Sequence, residues 1–164
     1  MNGILLRLIQ AEPLTAEAFA AFGQVIECVG HANLEINGGT SRRFSDLAQL
    51  ESDGTGRLAL SIFQAQERSA PYRLTCIERH PLGSQAFMPL DGQAFLIVAA
   101  AHPSADALRV FRSNGRQGIN FRRGVWHHPL LALAPGDFLV ADRLGPGDNC
   151  EAIDIADWEI GIRP

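Results

Sequence analysis

The sequence contains no lysine: all 14 of its basic residues are arginine. A chain without an ε-amine cannot form a lysine Schiff base, anchor pyridoxal phosphate or build a phosphate-binding P-loop. Arginine instead presents a planar, permanently charged guanidinium that binds carboxylates through two parallel hydrogen bonds. Small organic acids are therefore attractive ligands, and we expect a small-molecule substrate.

The sequence also has only three cysteines and no excess of positive charge. Cys28, Cys76 and Cys150 are too few and too widely spaced for a zinc knot or a secreted disulfide framework, so we expect reduced thiols. The 14 basic residues face 18 acidic ones, which gives a formal net charge of −4. This balance argues against a nucleic-acid partner or an anionic membrane surface.

Long hydrophobic runs are missing. The longest one after the N-terminal segment, residues 94–101, is far below the roughly 20 residues that span a bilayer. The N-terminal run is broken by Arg7 and Gln10 and lacks a small-residue cleavage site, so we predict no signal peptide and a cytoplasmic protein. The length of 164 residues, without an internal repeat or a long linker, predicts one domain over residues 1–164.

Short apolar or alternating segments between Gly, Pro, Asn and Asp predict a mainly β protein. Leu58, Leu60 and Ile62 alternate with polar or small neighbours, and one short helix is predicted between an N-cap at Thr15 and a stop at Gly23. Because helices for parallel crossovers are missing, a small closed barrel fits best. Further strands are predicted at residues 4–9, 74–78, 84–89, 94–99, 108–112, 118–121, 138–141 and 151–155.

Two polar clusters interrupt the apolar strand sequence. Polar groups in such positions must be hydrogen-bonded, ligated or functional to offset their desolvation. In the first cluster, Glu78 and His80 are two residues apart and share a strand face, and Gln85 follows on the next strand after a Pro/Gly turn. The second cluster is GVWHHP at residues 124–129, where His127 and His128 point to opposite faces of a strand.

Both clusters resemble motifs of the cupin superfamily. The first cupin motif is H-x-H, three or four residues, E, six residues and G, and its spacing is kept here by Glu78, His80, Gln85 and Gly92. The first His is replaced by Glu and the motif's Glu by Gln. The G-x-x-H of the second motif falls on Gly124 and His127. One Glu, two His and one Gln can hold a divalent ion, and the same groups can equally bind substrate without a metal.

Several longer strings resemble one family within that superfamily. Between Ile36 and Cys150 they read, in order, INGGTSRRFSDLA, ERHPLGSQAF, NGRQGINF, GVWHHPL and ADRLGPGDNC, and the N-terminal LTxEAFxxFG pattern fits as well. They resemble the ureidoglycolate lyase family, formerly called ureidoglycolate hydrolase. The resemblance implies a homodimeric, cupin-type double-stranded β-helix barrel. It also implies cleavage of (S)-ureidoglycolate to glyoxylate and urea in allantoin breakdown, with nickel dependence.

The residues present are compatible with that reaction. Ureidoglycolate is a carbinolamine with a carboxylate, so its cleavage needs a base for the hydroxyl proton, an acid for the urea nitrogen and a cation for the carboxylate. We predict that His80 and His127 carry protons, with Glu78 orienting one imidazole or acting itself. If a metal is bound, Glu78, His80, Gln85 and His127 become its ligands and the base role passes elsewhere.

The predicted carboxylate-binding residues are Arg43 and Arg143, because a bidentate guanidinium suits a planar anion. Gln85 is predicted to contact the substrate. Asn37 lies in a loop that would cover the mouth of the barrel, although an Asn-Gly pair also fits a plain turn. For Asp142 a simple ion pair with Arg143 is the preferred interpretation.

Two other functions remain open at this point. One is a different enzyme of the same scaffold, such as a metal-dependent hydrolase or isomerase of another small hydroxy acid. The other is a noncatalytic protein that binds glyoxylate or a related acid, which would bind its ligand without turnover.

Overall fold

The computed structural model describes residues 7–164 as a mainly β chain with a single α-helix, α1 (Ala16–Phe19). Short 3₁₀ helices cover Asn37–Gly39, Ala105–Ala107 and Ala156–Trp158. None of the helices in the described part of the chain combines the length and hydropathy that a bilayer crossing requires. Sixteen strands are present in these residues: β1 (Arg7–Gln10), β2 (Glu12–Pro13), β3 (Gly23–Ile26), β4 (Leu34–Ile36), β5 (Ser41–Arg43), β6 (Arg57–Ala65), β7 (Cys76–Arg79), β8 (Gln85–Pro89), β9 (Phe95–Ala100), β10 (Leu108–Arg112), β11 (Gly118–Phe121), β12 (Trp126–His127), β13 (Leu131–Ala132), β14 (Gly136–Leu144), β15 (Glu151–Asp154) and β16 (Ile160–Arg163).

The helix begins where the sequence predicts it. The Thr15 side chain accepts a hydrogen bond from the backbone N–H of Ala18 at 3.1 Å, which caps the first turn. The helix ends at Phe19, whose buried ring packs edge-on against Phe111 with centroids 5.4 Å apart. Gly23, the predicted stop, instead begins the next strand. The helix is therefore a single turn that anchors one phenylalanine in the core.

Two sheets form the body of the protein. The larger has the order β15-β7-β12-β9-β10-β2, with β13 also paired to β9, and the smaller has the order β3-β11-β8-β14-β6. Their strands pair antiparallel except for the short β2–β10 pair. Within residues 7–164 the pairings leave two facing sheets without joining them into one ring, an arrangement consistent with a cupin β-sandwich. The mainly β prediction with one short helix is confirmed.

Strand β9 is buried on both faces. Phe95, Ile97 and Ala99 point into the core between the two sheets, which also contains residues of β8, β11 and β14. Leu96, Val98 and Ala100 point into a second core, which the parallel pair β1–β16 covers. The predicted bounds of β10 and β11 are confirmed, whereas β14 extends beyond the prediction at both ends. Of the strand predicted at residues 4–9, residues 4–6 lie outside the described residues.

Strand β6 is the edge of the smaller sheet, and its apolar side faces solvent. The predicted alternation is confirmed, but Leu58, Leu60 and Ile62 are 41%, 70% and 52% exposed. The opposite side of β6 faces the core, where Phe63 packs edge-on against Phe87 with centroids 6.0 Å apart. The outer side of β6 is thus apolar and exposed, whereas residues 48–51 cross the outer face of the strands beyond β14.

Strands β4 and β5 form a hairpin that pairs with neither large sheet. We call residues 34–43 the arm. Its turn is the 3₁₀ segment Asn37–Gly39, in which Asn37 and both glycines have positive φ values. Leu34 at its base is 62% exposed, and the side chains of Arg42 and Arg43 are exposed as well.

Candidate active site and metal centre

Glu78, His80 and His127 converge at one end of the sandwich. The register places His127 of β12 directly opposite Glu78 of β7, and His80 follows β7 on the same side as Glu78. Oε1 of Glu78 lies 3.8 Å from Nε2 of His80 and 3.7 Å from Nε2 of His127. All three potential ligand atoms lie within 4.8 Å of one another. A carboxylate and two imidazoles at this spacing suit a divalent transition metal.

His127 is buried, neutral and incompletely hydrogen-bonded. Its ring stacks on Phe121 with centroids 4.2 Å apart, and its Nδ1 donates to the carbonyl of Val125 at 2.9 Å. This bond assigns the proton to Nδ1 and leaves a lone pair on Nε2. Burial lowers the pKa of His127 to about 3. Nε2 has no hydrogen-bond partner in the described structure, and a bound cation would satisfy it.

His80 is held from both sides of its ring. Nδ1 lies 2.6 Å from the carbonyl oxygen of Asn149, and Nε2 lies 3.1 Å from Oε1 of Gln85. Gln85 in turn donates through Nε2 to Oδ2 of Asp142 at 3.4 Å, because the two residues lie opposite each other on β8 and β14. Polar contacts through Gln85 therefore connect His80 to a carboxylate of the smaller sheet. From the sequence, an ion pair with Arg143 is the preferred interpretation of Asp142, with a part in the chemistry as the alternative.

The loop at residues 145–150 supports the site. The sequence did not predict this role of the loop. Besides the backbone bond to His80, the Asn149 side-chain oxygen accepts from the N–H of Leu82 at 2.8 Å. The Cys150 thiol donates to Oε2 of Glu78 at 3.7 Å. Burial and the Glu78 carboxylate raise the pKa of Cys150, so the thiol remains a proton donor. The loop thus orients both Glu78 and His80.

A comparison with known families agrees with this geometry. The family model described as ureidoglycolate lyase matches residues 6–161. The chain belongs to the ureidoglycolate lyase family. Proteins named ureidoglycolate lyase from Pseudomonas putida strain F1 and Azotobacter vinelandii strain DJ are each 50% identical over 151 residues, covering 89% of this chain and 90% and 91% of theirs. The one from Pseudomonas aeruginosa strain LESB58 is 48% identical, with 89% of each chain covered.

Arg143 of this family member lies in a buried ion pair. Its Nε donates to Oδ1 of Asp53 at 3.0 Å, and one terminal nitrogen donates to the Thr55 hydroxyl at 2.8 Å and to the Pro146 carbonyl at 2.6 Å. Because neighbours on a strand alternate, Arg143 points away from the side on which Asp142 meets Gln85. Its guanidinium is therefore engaged in holding two loops together.

The other two predicted substrate-binding residues lie on the arm. The side chain of Asn37 donates to the Ser41 hydroxyl at 3.4 Å, and its carbonyl accepts from the Thr40 hydroxyl at 3.0 Å, which are bonds typical of a turn. Arg43 is exposed, with no side-chain hydrogen bond or ion pair to the described residues. The structure therefore brings Glu78, His80, His127 and Gln85 together and engages Arg143 in an ion pair, whereas substrate binding by Arg43 and Asn37 stays a prediction.

The ion pair between Arg143 and Asp53 predicts how the stability of the protein depends on pH. The Thr55 hydroxyl, aided by Arg143, lowers the pKa of Asp53 to about 2. As the pH falls, the unfolded chain binds this proton first, so the stabilisation present above the unfolded pKa of 3.8 is lost towards pH 2. We expect Asp53→Asn to lower the Tm at neutral pH and to flatten its dependence on pH between about 4 and about 2. Thermal unfolding across this range tests it, with the exposed Asp106→Asn as control; an unchanged slope would contradict it.

Proposed function

We propose that this protein cleaves (S)-ureidoglycolate to glyoxylate and urea, as a carbon–nitrogen lyase in the breakdown of allantoin and purine nitrogen. The observation that carries the proposal is the convergence of Glu78, His80 and His127 beside the Gln85–Asp142 hydrogen bond. This cluster offers metal ligands and proton-transfer groups within one small volume, as carbinolamine cleavage requires. The family membership supplies the substrate.

The cluster also fits a divalent metal ion, since Nε2 of His127 is buried without a partner and faces a carboxylate. Glu78, His80 and His127 would hold the ion, and Gln85 could add its oxygen. When bound, the ion would lower the pKa of the substrate hydroxyl and stabilise the resulting alkoxide. We propose nickel, as the resemblance implies, because imidazole ligands accept nickel among other transition metals.

The chain's own residues move the proton. With the histidines engaged as ligands, the base role passes to Asp142, the carboxylate that Gln85 connects to His80. Asp142 takes the hydroxyl proton, the O–H electron pair forms the carbonyl of glyoxylate, and the C–N pair leaves on the urea nitrogen. The same proton then returns to that nitrogen, so atoms and charges balance. Without a metal, His80 is the proton carrier of the site.

The remaining expectations stay proposals of the same kind. A small anionic substrate in the sandwich mouth would receive a hydrogen bond from the Gln85 amide. The resemblance implies a homodimer, which the exposed apolar side of β6 supports. We also propose a cytoplasmic location.

Product analysis tests the proposed reaction. Purified protein is treated with a chelator and assayed with (S)-ureidoglycolate before and after Ni²⁺ is restored, with Mg²⁺ as the hard-cation control. We expect equal amounts of glyoxylate and urea, a loss of at least about tenfold on chelation and recovery with Ni²⁺ only. Ammonia in place of urea would mean hydrolysis. Absence of glyoxylate under every condition would overturn the substrate, and tight glyoxylate binding would then favour the acid-binding alternative.

A further inference from the structure

No arginine side chain binds the carboxylates of the site within residues 7–164. The side chains that contact Glu78 are those of His80, His127 and Cys150, and the one that contacts Asp142 is that of Gln85. A divalent ion held by Glu78, His80 and His127 would offset part of the negative charge of these carboxylates, but it would not provide the two parallel hydrogen bonds of a guanidinium. The site as one chain builds it therefore lacks a guanidinium for the substrate carboxylate.

The arm comes after β3 in the chain, and β3 ends at the edge of the smaller sheet that lies away from the site. Gly23, Phe121, Gln85 and Asp142 oppose one another in a single row across four strands, next to the site. From Gly23, β3 runs to Ile26, which is about 10 Å from that row at 3.4 Å per residue. Beyond it, the Glu27 carboxylate accepts from the Gln117 amide at 3.0 Å. The chain thus enters the arm from the far end of the sheet.

After the arm, the chain returns across the outer face of the same sheet. The Gln49 carbonyl accepts from the Asn120 side chain at 3.0 Å, and the Glu51 N–H donates to the Ser84 hydroxyl at 2.7 Å. This segment borders an apolar groove of about 280 Å³ lined by residues that include Ile26, Leu50, Met88 and Leu139. The arm, with Arg43 on its second strand, is therefore joined to the chain at the far end and on the outer side of the sheet, whereas the triad lies on the inner side at the near end.

The outer face has the apolar character of an interface between two copies. The outer sides of β14 and β6, two nine-residue strands about 4.8 Å apart, present roughly 300 Å², and Leu60 and Ile62 are exposed beside the groove. The groove and the arm add to this area, and a stable dimer buries about 800 Å² per partner. A two-fold axis uses the same face on both copies. When that axis lies in the interface and is perpendicular to the strands, the far end of one sheet lies against the near end of the other.

We infer that two copies of this chain pack through the outer faces of their smaller sheets, and that each arm places Arg43 at the partner's site to bind the substrate carboxylate. The exposed, unpaired guanidinium complements the carboxylates Glu78 and Asp142. The substrate part of this inference rests on the proposed function. The dimer geometry does not, so the two are tested separately.

A cross-link tests the geometry without any activity. Cys150 is exposed and lies beside Glu78, so an introduced thiol from Arg43→Cys should lie near Cys150 of the partner subunit. In a Cys28→Ser background, a short bismaleimide is expected to give a covalent dimer on a denaturing gel, and adding Cys150→Ser should abolish it. A monomer in light scattering, a dimer without this cross-link, or a cross-link within one chain overturns the inference.

Complementation tests the role of Arg43. Arg43→Ala is expected to lower kcat/KM at least about 100-fold, and His127→Phe roughly 10³-fold or more. Refolded together in equal amounts, they should recover about one quarter of wild-type activity, because half of the dimers are mixed and each mixed dimer carries one intact site. No recovery would mean that Arg43 acts within its own chain.

Arg68→Ala is the matched control. Arg68 is an arginine of the same chain whose charge contributes to lowering the pKa of His128. We expect its loss to change KM little. A rise in KM with Arg68→Ala and none with Arg43→Ala would overturn the inference by assigning the carboxylate to Arg68. If the wild-type protein forms no glyoxylate, the proposed function fails, and the cross-link alone decides the dimer geometry.

Discussion

His127→Phe is expected to abolish lyase turnover, with kcat/KM falling roughly 10³-fold or more, while the metal-free protein keeps or raises its Tm. Phenylalanine preserves the ring that stacks on Phe121 at 4.2 Å. It also removes Nε2, a buried polar atom with no partner among the described residues, whose desolvation costs stability. The same change therefore removes a functional group and relieves an energetic penalty. Steady-state kinetics and thermal unfolding in chelator measure the two effects.

The adjacent histidine provides the control for this variant. His128 is also buried, and burial lowers its pKa, but its Nδ1 bonds to the Pro129 carbonyl at 2.7 Å and its ring lies outside the triad. We expect His128→Phe to keep kcat/KM within a few-fold of wild type. Full activity in His127→Phe would contradict the assignment of the triad.

Glu78→Gln is expected to weaken divalent-metal binding by at least about 100-fold and to lower kcat/KM in parallel. The amide keeps the shape of the side chain but removes the negative charge between the two imidazoles, 3.7 and 3.8 Å away. An uncharged amide oxygen is a far poorer ligand than a carboxylate for a transition metal. Titration calorimetry with Ni²⁺ and the visible spectrum of the Co²⁺-loaded protein report binding independently of turnover.

Glu151→Gln is the matched variant for this experiment. Glu151 lies on β15 beside β7, yet it pairs with Arg79 on the side of the sheet that faces away from the triad. We expect its metal affinity and kinetics to remain near wild type. Undiminished Ni²⁺ binding in Glu78→Gln would show that Glu78 is not a ligand.

The site residues that are close in sequence were predictable, because local geometry decides where they point. Alternation on a strand places Glu78 and His80 on one side, and a short turn returns Gln85 to meet them. His127 is distant in sequence, and only its motif linked it to the first cluster. For these residues the structure agrees with the spacing.

Arg143 and the supporting loop were beyond the reach of the sequence for physical reasons. Arg143 finds its partner Asp53 far along the chain, and residue type alone does not distinguish a buried ion pair from a substrate contact. Asn149 holds His80 through a backbone carbonyl, a group that every residue possesses. Its residue type therefore carries no signal for that role.

The sequence also could not predict which side of β6 faces the core. The alternation of Leu58, Leu60 and Ile62 correctly indicates a strand, but the period of two is the same whether the apolar face meets the core or solvent. Only the packing of Phe63 against Phe87 shows which side of β6 is the interior.

The position of β12 between β7 and β9 makes the triad depend on contacts between distant parts of the chain. His127 opposes both Glu78 on β7 and Ala99 on β9, which are far from it in the chain. Loop-closure entropy opposes pairings of such long sequence separation, so we expect them to form late in folding. The three side chains that could hold a cation are therefore expected to meet only as the sheet is completed.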